Sequence, residues 1–200
     1  MPSAPLLFGY YHANGPELLR SPLARIVIDD GRRFLERSPV QYDIITLDPP
    51  PPVEAAGSSL LYSREFYTIV KKRLGPRGIL QQWLPRGDAA TLSSVAKALR
   101  ASFPHVRVFR GVEGGGFHFL ASMTPIPVTP ASVLAGRLPP DAIADLLEWG
   151  PASTAEQQFS LVLKGELPLE TLIAVAPDVP ALQDDRPINE YFFLRRMLQP

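Results

Sequence analysis

Four consecutive prolines at positions 49–52 end the apolar run YDIITLD (42–48) immediately after Asp48. Proline locks φ and donates no backbone hydrogen bond, so these four positions neither extend a sheet nor enter a helix. The run before them is almost continuously apolar, the pattern of a strand covered on both faces rather than on one. A chain built around such a strand needs helices above and below its sheet, and Asp48 must stand on a stiff ledge at the strand's carboxyl end.

The flanking segments supply the helices. Ser63 is placed to cap a helix whose apolar positions Phe66, Ile69, Val70 and Leu74 keep helical spacing, with GPRG (75–78) as its stop. GILQQWLP (78–85) reads as a strand, and Asp88 is placed to cap the next helix, where Leu92, Val95, Ala96, Leu99 and Phe103 form one stripe. Upstream, ARIVID (24–29) reads as a strand ending in a turn at Asp30-Gly31, followed by a short helix in RRFLERS. HVRVFR and FHFLASM flank a Gly-rich loop at 111–116. Alternating strands and helices predict an α/β fold: a mostly parallel sheet with flanking helices, closed by a C-terminal antiparallel hairpin. Beyond residue 124 the pattern changes to short helices over 139–149 and 155–164, a polar turn and an aromatic tail. Residues 1–124 therefore form the expected core, and 125–200 a small helical extension packing on it.

Composition narrows the function classes. Twenty basic and twenty acidic residues cancel, so no overall field attracts nucleic acid or anionic lipid. No apolar run is long enough to span a bilayer, and the first residues lack the basic-then-apolar order of a secretion signal. The chain has no cysteine, which excludes disulfides and thiolate chemistry and fits a cytoplasmic setting. His12, His105 and His118 show no metal-ligand spacing, and no metal site is expected.

In open α/β sheets ligands bind beyond the carboxyl ends of the strands, and here an acid follows two such ends, Asp30 and Asp48. Asp before Gly is also ordinary turn chemistry. The glycines of GVEGGGF (111–117) lie between two strands, where they serve a hairpin; a phosphate or cofactor cradle needs them between a strand and a helix.

The ordered series DGRRFL, YDIITLD and LYSREFYTIVKKRLGPRGILQQWLP resembles the spermidine synthase (polyamine aminopropyltransferase) family, within the class I S-adenosylmethionine-dependent methyltransferase fold. The tail DDRPINEY is similar to the end of bacterial spermidine-synthase-like proteins, some of which carry this domain after a transporter-like membrane segment. The resemblance implies a partial Rossmann-like methyltransferase fold and a transferase of polyamine biosynthesis. It implies S-adenosylmethionine or decarboxylated S-adenosylmethionine as cofactor, with methylthioadenosine as product of the latter, and a small-molecule amine as partner. It implies that Asp30 and Gly31 hold the adenine, that Asp48 is the catalytic carboxylate facing the acceptor amine, and that Tyr62 and Gln82 line the same pocket. The chemistry stands on its own as well: a free alkylamine is mostly protonated at neutral pH, and a positioned carboxylate both orients it and takes its proton.

Two departures accompany the likeness. The family's second loop acid falls on Pro51, with Glu54 as the nearby substitute for binding the amine. The family's Gly-rich cofactor loop and ribose-binding acid align before Met1, so the 24–29 run is expected to find a new neighbour, to stay an unpaired edge, or to borrow a strand from another copy as a homo-oligomer. Two alternatives follow: an inactive or truncated relative acting as an interaction module, and an amino-group N-methyltransferase using the DPPP loop.

Overall fold

The computed structural model describes residues 4–11, 13–48, 57–148, 150–190 and 197. The proline ledge, Glu54, His12 and the aromatic tail at 191–196 lie outside the described residues. The chain divides into two compact units, Met1–Ser38 and Pro39–Pro200.

The first unit contains a 3-10 turn (Ala4–Leu7) and helices α1 (Phe8–Tyr11), α2 (Gly15–Arg20) and α3 (Gly31–Arg37). No Gly-rich strand-to-helix turn occurs among its described residues. The expected strand at 24–29 does not form: residues 24–28 join no ladder, and Ile26, Val27 and Ile28 remain roughly half exposed, at 46%, 44% and 58%. A strand exists only where a second strand satisfies its backbone groups, and within this unit no described segment does so. Asp30 is the N-cap of α3, its side chain accepting from the Arg33 amide at 2.8 Å.

The second unit holds β1 (Tyr42–Leu47), α4 (Arg64–Arg73), β2 (Leu74–Leu84), α5 (Ala89–Ser102), β3 (His105–Arg110) and β4 (Phe117–Ser122). These are followed by α6 (Ala131–Ala135), α7 (Pro140–Glu148), α8 (Ala155–Lys164), the two-residue β5 (Glu166–Leu167) and α9 (Leu169–Ala174). The strands order β1-β2-β4-β3-β5, with β1 and β2 parallel and every other neighbouring pair antiparallel. The α/β architecture with its closing antiparallel hairpin forms as expected, in a sheet that is mixed, not purely parallel. β3 does run in the direction of β2, as a strand–helix–strand link requires, but β4 folds back between them and takes both sets of hydrogen bonds.

Both predicted caps are present, Ser63 accepting from the Phe66 amide and Asp88 from that of Thr91. GPRG does not end in a free turn. Helix α4 passes directly into β2, and residues 75–78 are absorbed as a bulge between the Tyr42↔Leu74 and Ile44↔Ile79 pairs.

Alternation divides the sheet into two faces. Leu80, Gln82 and Leu84 of β2, with Val108, Phe119 and Ala121, are buried together with Phe66, Tyr67 and Val70 of α4 and Val95, Ala96 and Leu99 of α5. The opposite face carries Gln81, Trp83, His118 and Leu120. The chain beyond residue 124 is fastened to α5 by polar contacts. Ser93 Oγ donates to Ile173 O (2.9 Å) and to Ala176 O (2.8 Å), and Ser94 Oγ donates to Pro180 O (2.8 Å). Ser93 thus serves a carbonyl in the last turn of α9, where a helix leaves its last acceptors unmatched, and one just beyond it, while Ser94 holds the segment that follows.

Candidate functional site

The parallel pair β1–β2 sets the site. Register pairs Thr46 with Gln81 and Leu47 with Gln82, so one set faces the open side of the sheet and the other faces the helices. Asp48, one step beyond β1, falls on the side of Thr46. A cavity of roughly 500 Å³ lies there, lined by Thr46, Asp48, Gln81, Trp83 and His118.

Asp48 is exposed, and its carboxylate makes no hydrogen bond or ion pair among the described residues. His118 is half-buried across from it. Burial pulls the imidazole below its ordinary value, and the negative charge of Asp48 partly offsets that effect. The ring is therefore neutral at neutral pH. Gln81 Nε2 lies 3.3 Å from His118 Nδ1. An amide nitrogen only donates, which makes Nδ1 the acceptor and leaves the ring proton on Nε2.

Trp83 is held in the wall by its indole N–H, which donates to Gly115 O at 2.8 Å. The Gly-rich segment thus forms the expected β3–β4 hairpin loop and also anchors a cavity residue. Gly116 requires its lack of a side chain: φ is +104°, and a Cβ there would stand 2.3 Å from Leu84 O.

Of the residues singled out from sequence, Asp48 is on the cavity wall. Gln82 and Tyr62 are not. Gln82 is fully buried on the helix face, where its amide oxygen accepts from Tyr67 Oη at 2.6 Å and its amide nitrogen donates to Leu61 O at 3.0 Å. Tyr62 is 1% exposed, close enough to Tyr67 for its charge to be felt there. The reason is parity: one step along β2 exchanges the faces, so Gln81 meets the cavity and Gln82 the interior. Sequence reasoning missed Gln81, Trp83 and His118. Their alternation was visible, but which parity faced solvent was not.

Asp30 and Gly31 lie in the first unit, at the start of α3. One carboxylate oxygen of Asp30 is engaged in the cap; no hydrogen bond occupies the other among the described residues. The turn at 184–190 is fastened near α4. The Asp184 amide donates to Glu65 Oε2 at 3.1 Å, and Glu190 accepts from the Ser59 amide at 3.0 Å. Neither Asp184 nor Asp185 lines the cavity beside Asp48. Lys71, Lys72 and Arg73 occupy the last turn of α4, where cations complement the helix dipole. Among the described residues no three His, Asp or Glu side chains gather as a metal site, and no helix is long and apolar enough to cross a membrane.

The comparisons with known proteins agree on the family. The chain is 32% identical over 92 residues to polyamine aminopropyltransferase 2 of Pseudomonas aeruginosa, covering 44% of this chain and 26% of that protein. It is 29% identical over 169 residues to polyamine aminopropyltransferase 2 of Hyperthermus butylicus, covering 82% of this chain and 53% of that protein. The chain thus spans about half the length, or less, of these curated relatives. Its fold is similar to that of a probable spermidine synthase from Corynebacterium glutamicum (TM-score 0.57, 19% identity, covering 86% of this chain and 59% of that one). It is also similar to a spermidine synthase solved in complex with the transition-state analogue AdoDATO (TM-score 0.55, 18% identity, covering 84% and 59%). The spermine/spermidine synthase domain profile matches residues 7–109, more than half of the sequence, and the chain belongs to that family.

Proposed function

We propose that this chain is a spermidine synthase-like transferase domain that moves an aminopropyl or a methyl group from an S-adenosyl sulfonium to an amine held at Asp48. The single observation that carries the reading is the Asp48 carboxylate itself: unpaired among the described residues, at the carboxyl end of a parallel strand, in the wall of a cavity. A charged group left without a partner beside a cavity is free to serve a ligand. The relatives named as polyamine aminopropyltransferases support the reaction class.

A bound S-adenosyl sulfonium supplies an activated carbon whose leaving group departs as a neutral thioether. The work of this chain is on the acceptor side. Asp48 accepts hydrogen bonds from the incoming ammonium, orients its nitrogen and takes the proton that must leave before the lone pair can attack. The neutral His118 adds no positive charge to compete with the amine, and Gln81 and Trp83 shape the wall around it. Tyr62 and Gln82 support this wall from the interior. Asp30 fits the adenine role, because its second carboxylate oxygen is available to accept from an exocyclic amine, and a Cβ on the adjacent Gly31 would meet nothing within 4 Å. Glu54 is the further acid proposed for the substrate. The setting inferred is the cytoplasm.

A second reading is an inactive or truncated relative serving as an interaction module. Calorimetric titration of the chain with methylthioadenosine and S-adenosylmethionine separates the two. Binding that survives Asp48→Asn, together with transfer that does not, is the outcome expected of the transferase. Absence of heat with either ligand supports the module.

A further inference from the structure

Residues 24–29 read Ala-Arg-Ile-Val-Ile-Asp, and within their own unit they find no strand to join. Among the described residues no backbone-to-backbone hydrogen bond engages residues 25–28. Three β-branched side chains, Ile26, Val27 and Ile28, lie open over the same stretch. Arg25 is exposed and makes no hydrogen bond or ion pair among the described residues. An extended apolar edge with open amides and carbonyls is a template for another strand.

The run is complementary to itself. Turned about a two-fold axis through Val27, an antiparallel copy sets Arg25 against Asp29, Ile26 against Ile28 and Val27 against Val27. A shift of one step in either direction puts a charged side chain opposite an isoleucine, and parallel in-register pairing sets arginine beside arginine and aspartate beside aspartate. Charge thus selects one register. Alternation places Arg25, Val27 and Asp29 on one face of the resulting ribbon and Ile26 and Ile28 on the other. Isoleucines from both copies meet on one side, and ion pairs flank the valines on the other. Asp29 already accepts from the Asp30 amide at 2.9 Å and pairs with Arg37. A carboxylate has about four acceptor positions, which leaves room for the second copy's arginine.

We propose that this run is an interaction surface for a second copy of the chain, the two pairing as antiparallel strands about Val27. The pairing covers apolar surface and satisfies backbone groups that the unit leaves open. It is independent of the transfer reading at Asp48. A few residue pairs make a small interface, so the dimer exchanges with monomer at a dissociation constant on the order of 10 µM.

The test uses the full chain in sedimentation at rising concentration. The parent should pass from monomer to dimer, and Val27→Lys, which sets two ammoniums face to face on the axis, should weaken the dimer at least about tenfold. Arg25→Glu alone and Asp29→Lys alone should each stay monomeric, whereas an equimolar mixture of the two should dimerise, because every charge in the mixed pair is again matched. Val27→Cys introduces a thiol into a chain that has none. Directly opposed Cα atoms in an antiparallel pair stand about 4.5–5.5 Å apart, within the span a disulfide bridges, so mild oxidation should link two copies. Leu23→Cys lies at a more exposed position but away from the axis, its symmetry mate roughly 20 Å or more distant, and should link at least about tenfold more slowly. A parent that stays monomeric at about 0.5 mM overturns the proposal. So does a dimer that Val27→Lys leaves intact, or equal linking of the two cysteine variants. Protection of the 25–28 amides from hydrogen exchange in a monomer would assign the run to a strand of its own chain and overturn the proposal as well.

Discussion

The phenol of Tyr67 on α4 donates a 2.6 Å hydrogen bond to the amide oxygen of Gln82 on β2, in a part of the core that water does not reach. Burial, reinforced by the nearby Tyr62, pushes the phenol well above its ordinary value, so the proton is always there to donate. Tyr67→Phe leaves a buried carbonyl oxygen without its donor. The expected cost is about 1–3 kcal/mol, read as a lower midpoint in urea with an unchanged slope. A loss below a few tenths of a kcal/mol would mean that water reaches Gln82.

The Asp48–His118 relationship predicts a pH signature. His118 should titrate below an ordinary imidazole, and in Asp48→Asn lower still, because the charge that partly offsets burial has gone. Its C–H resonances followed by NMR against pH report both midpoints. Because the folded-state value lies below the unfolded one, this group's contribution to stability is present above the unfolded value of about 6.5. It falls as pH drops through the window between the two values. An unchanged midpoint in the variant would place Asp48 too far away to act.

Arg107 and Glu166 form a two-pronged contact joining β3 to β5, and Arg107 also donates to Pro127 O at 3.0 Å and lies 5.0 Å from the Phe109 ring centroid. The hydrogen bond from Arg107 holds the Glu166 carboxyl below the usual carboxylate range. Glu166→Gln should cost about 0.5–1 kcal/mol at neutral pH, since the pair is partly screened by solvent. A depressed folded-state value means that the contribution is present above the ordinary carboxylate range and is lost as pH falls through the folded value. Denaturation midpoints of the two proteins should therefore converge in acid. A gap that persists at low pH would assign the effect to packing.

Neighbouring glycines of the hairpin loop should respond in opposite ways to alanine. At Gly116 the backbone is left-handed and a Cβ would strike Leu84 O, so Gly116→Ala should cost roughly 1–3 kcal/mol and disturb the fluorescence of Trp83. A Cβ at Gly115 meets nothing within 4 Å, so Gly115→Ala should lie within about 0.5 kcal/mol of the parent. Equal thermal shifts for the two would refute the local geometry.

Much of this architecture is written locally. Ser63 and Asp88 announce their helices because a short polar side chain before an apolar stripe satisfies the first free amides. The Gly-rich run between two strands announces a hairpin, and the four prolines after an apolar run announce the end of a strand. Each of these is settled within a few residues of chain. Three other features depend on partners far away in sequence. β4 inserts between β2 and β3, so the strand succession implied neighbours that the hydrogen bonds do not join. Gln81 rather than Gln82 meets the cavity, because α4 and α5 cover the other face and a strand's parity has no meaning until one face is covered. The apolar run at 24–29 has strand composition yet no ladder within its unit. Caps and turns are decided by chemistry between near neighbours, whereas strand order, facing and pairing are decided by which distant backbone and side-chain groups arrive to satisfy them.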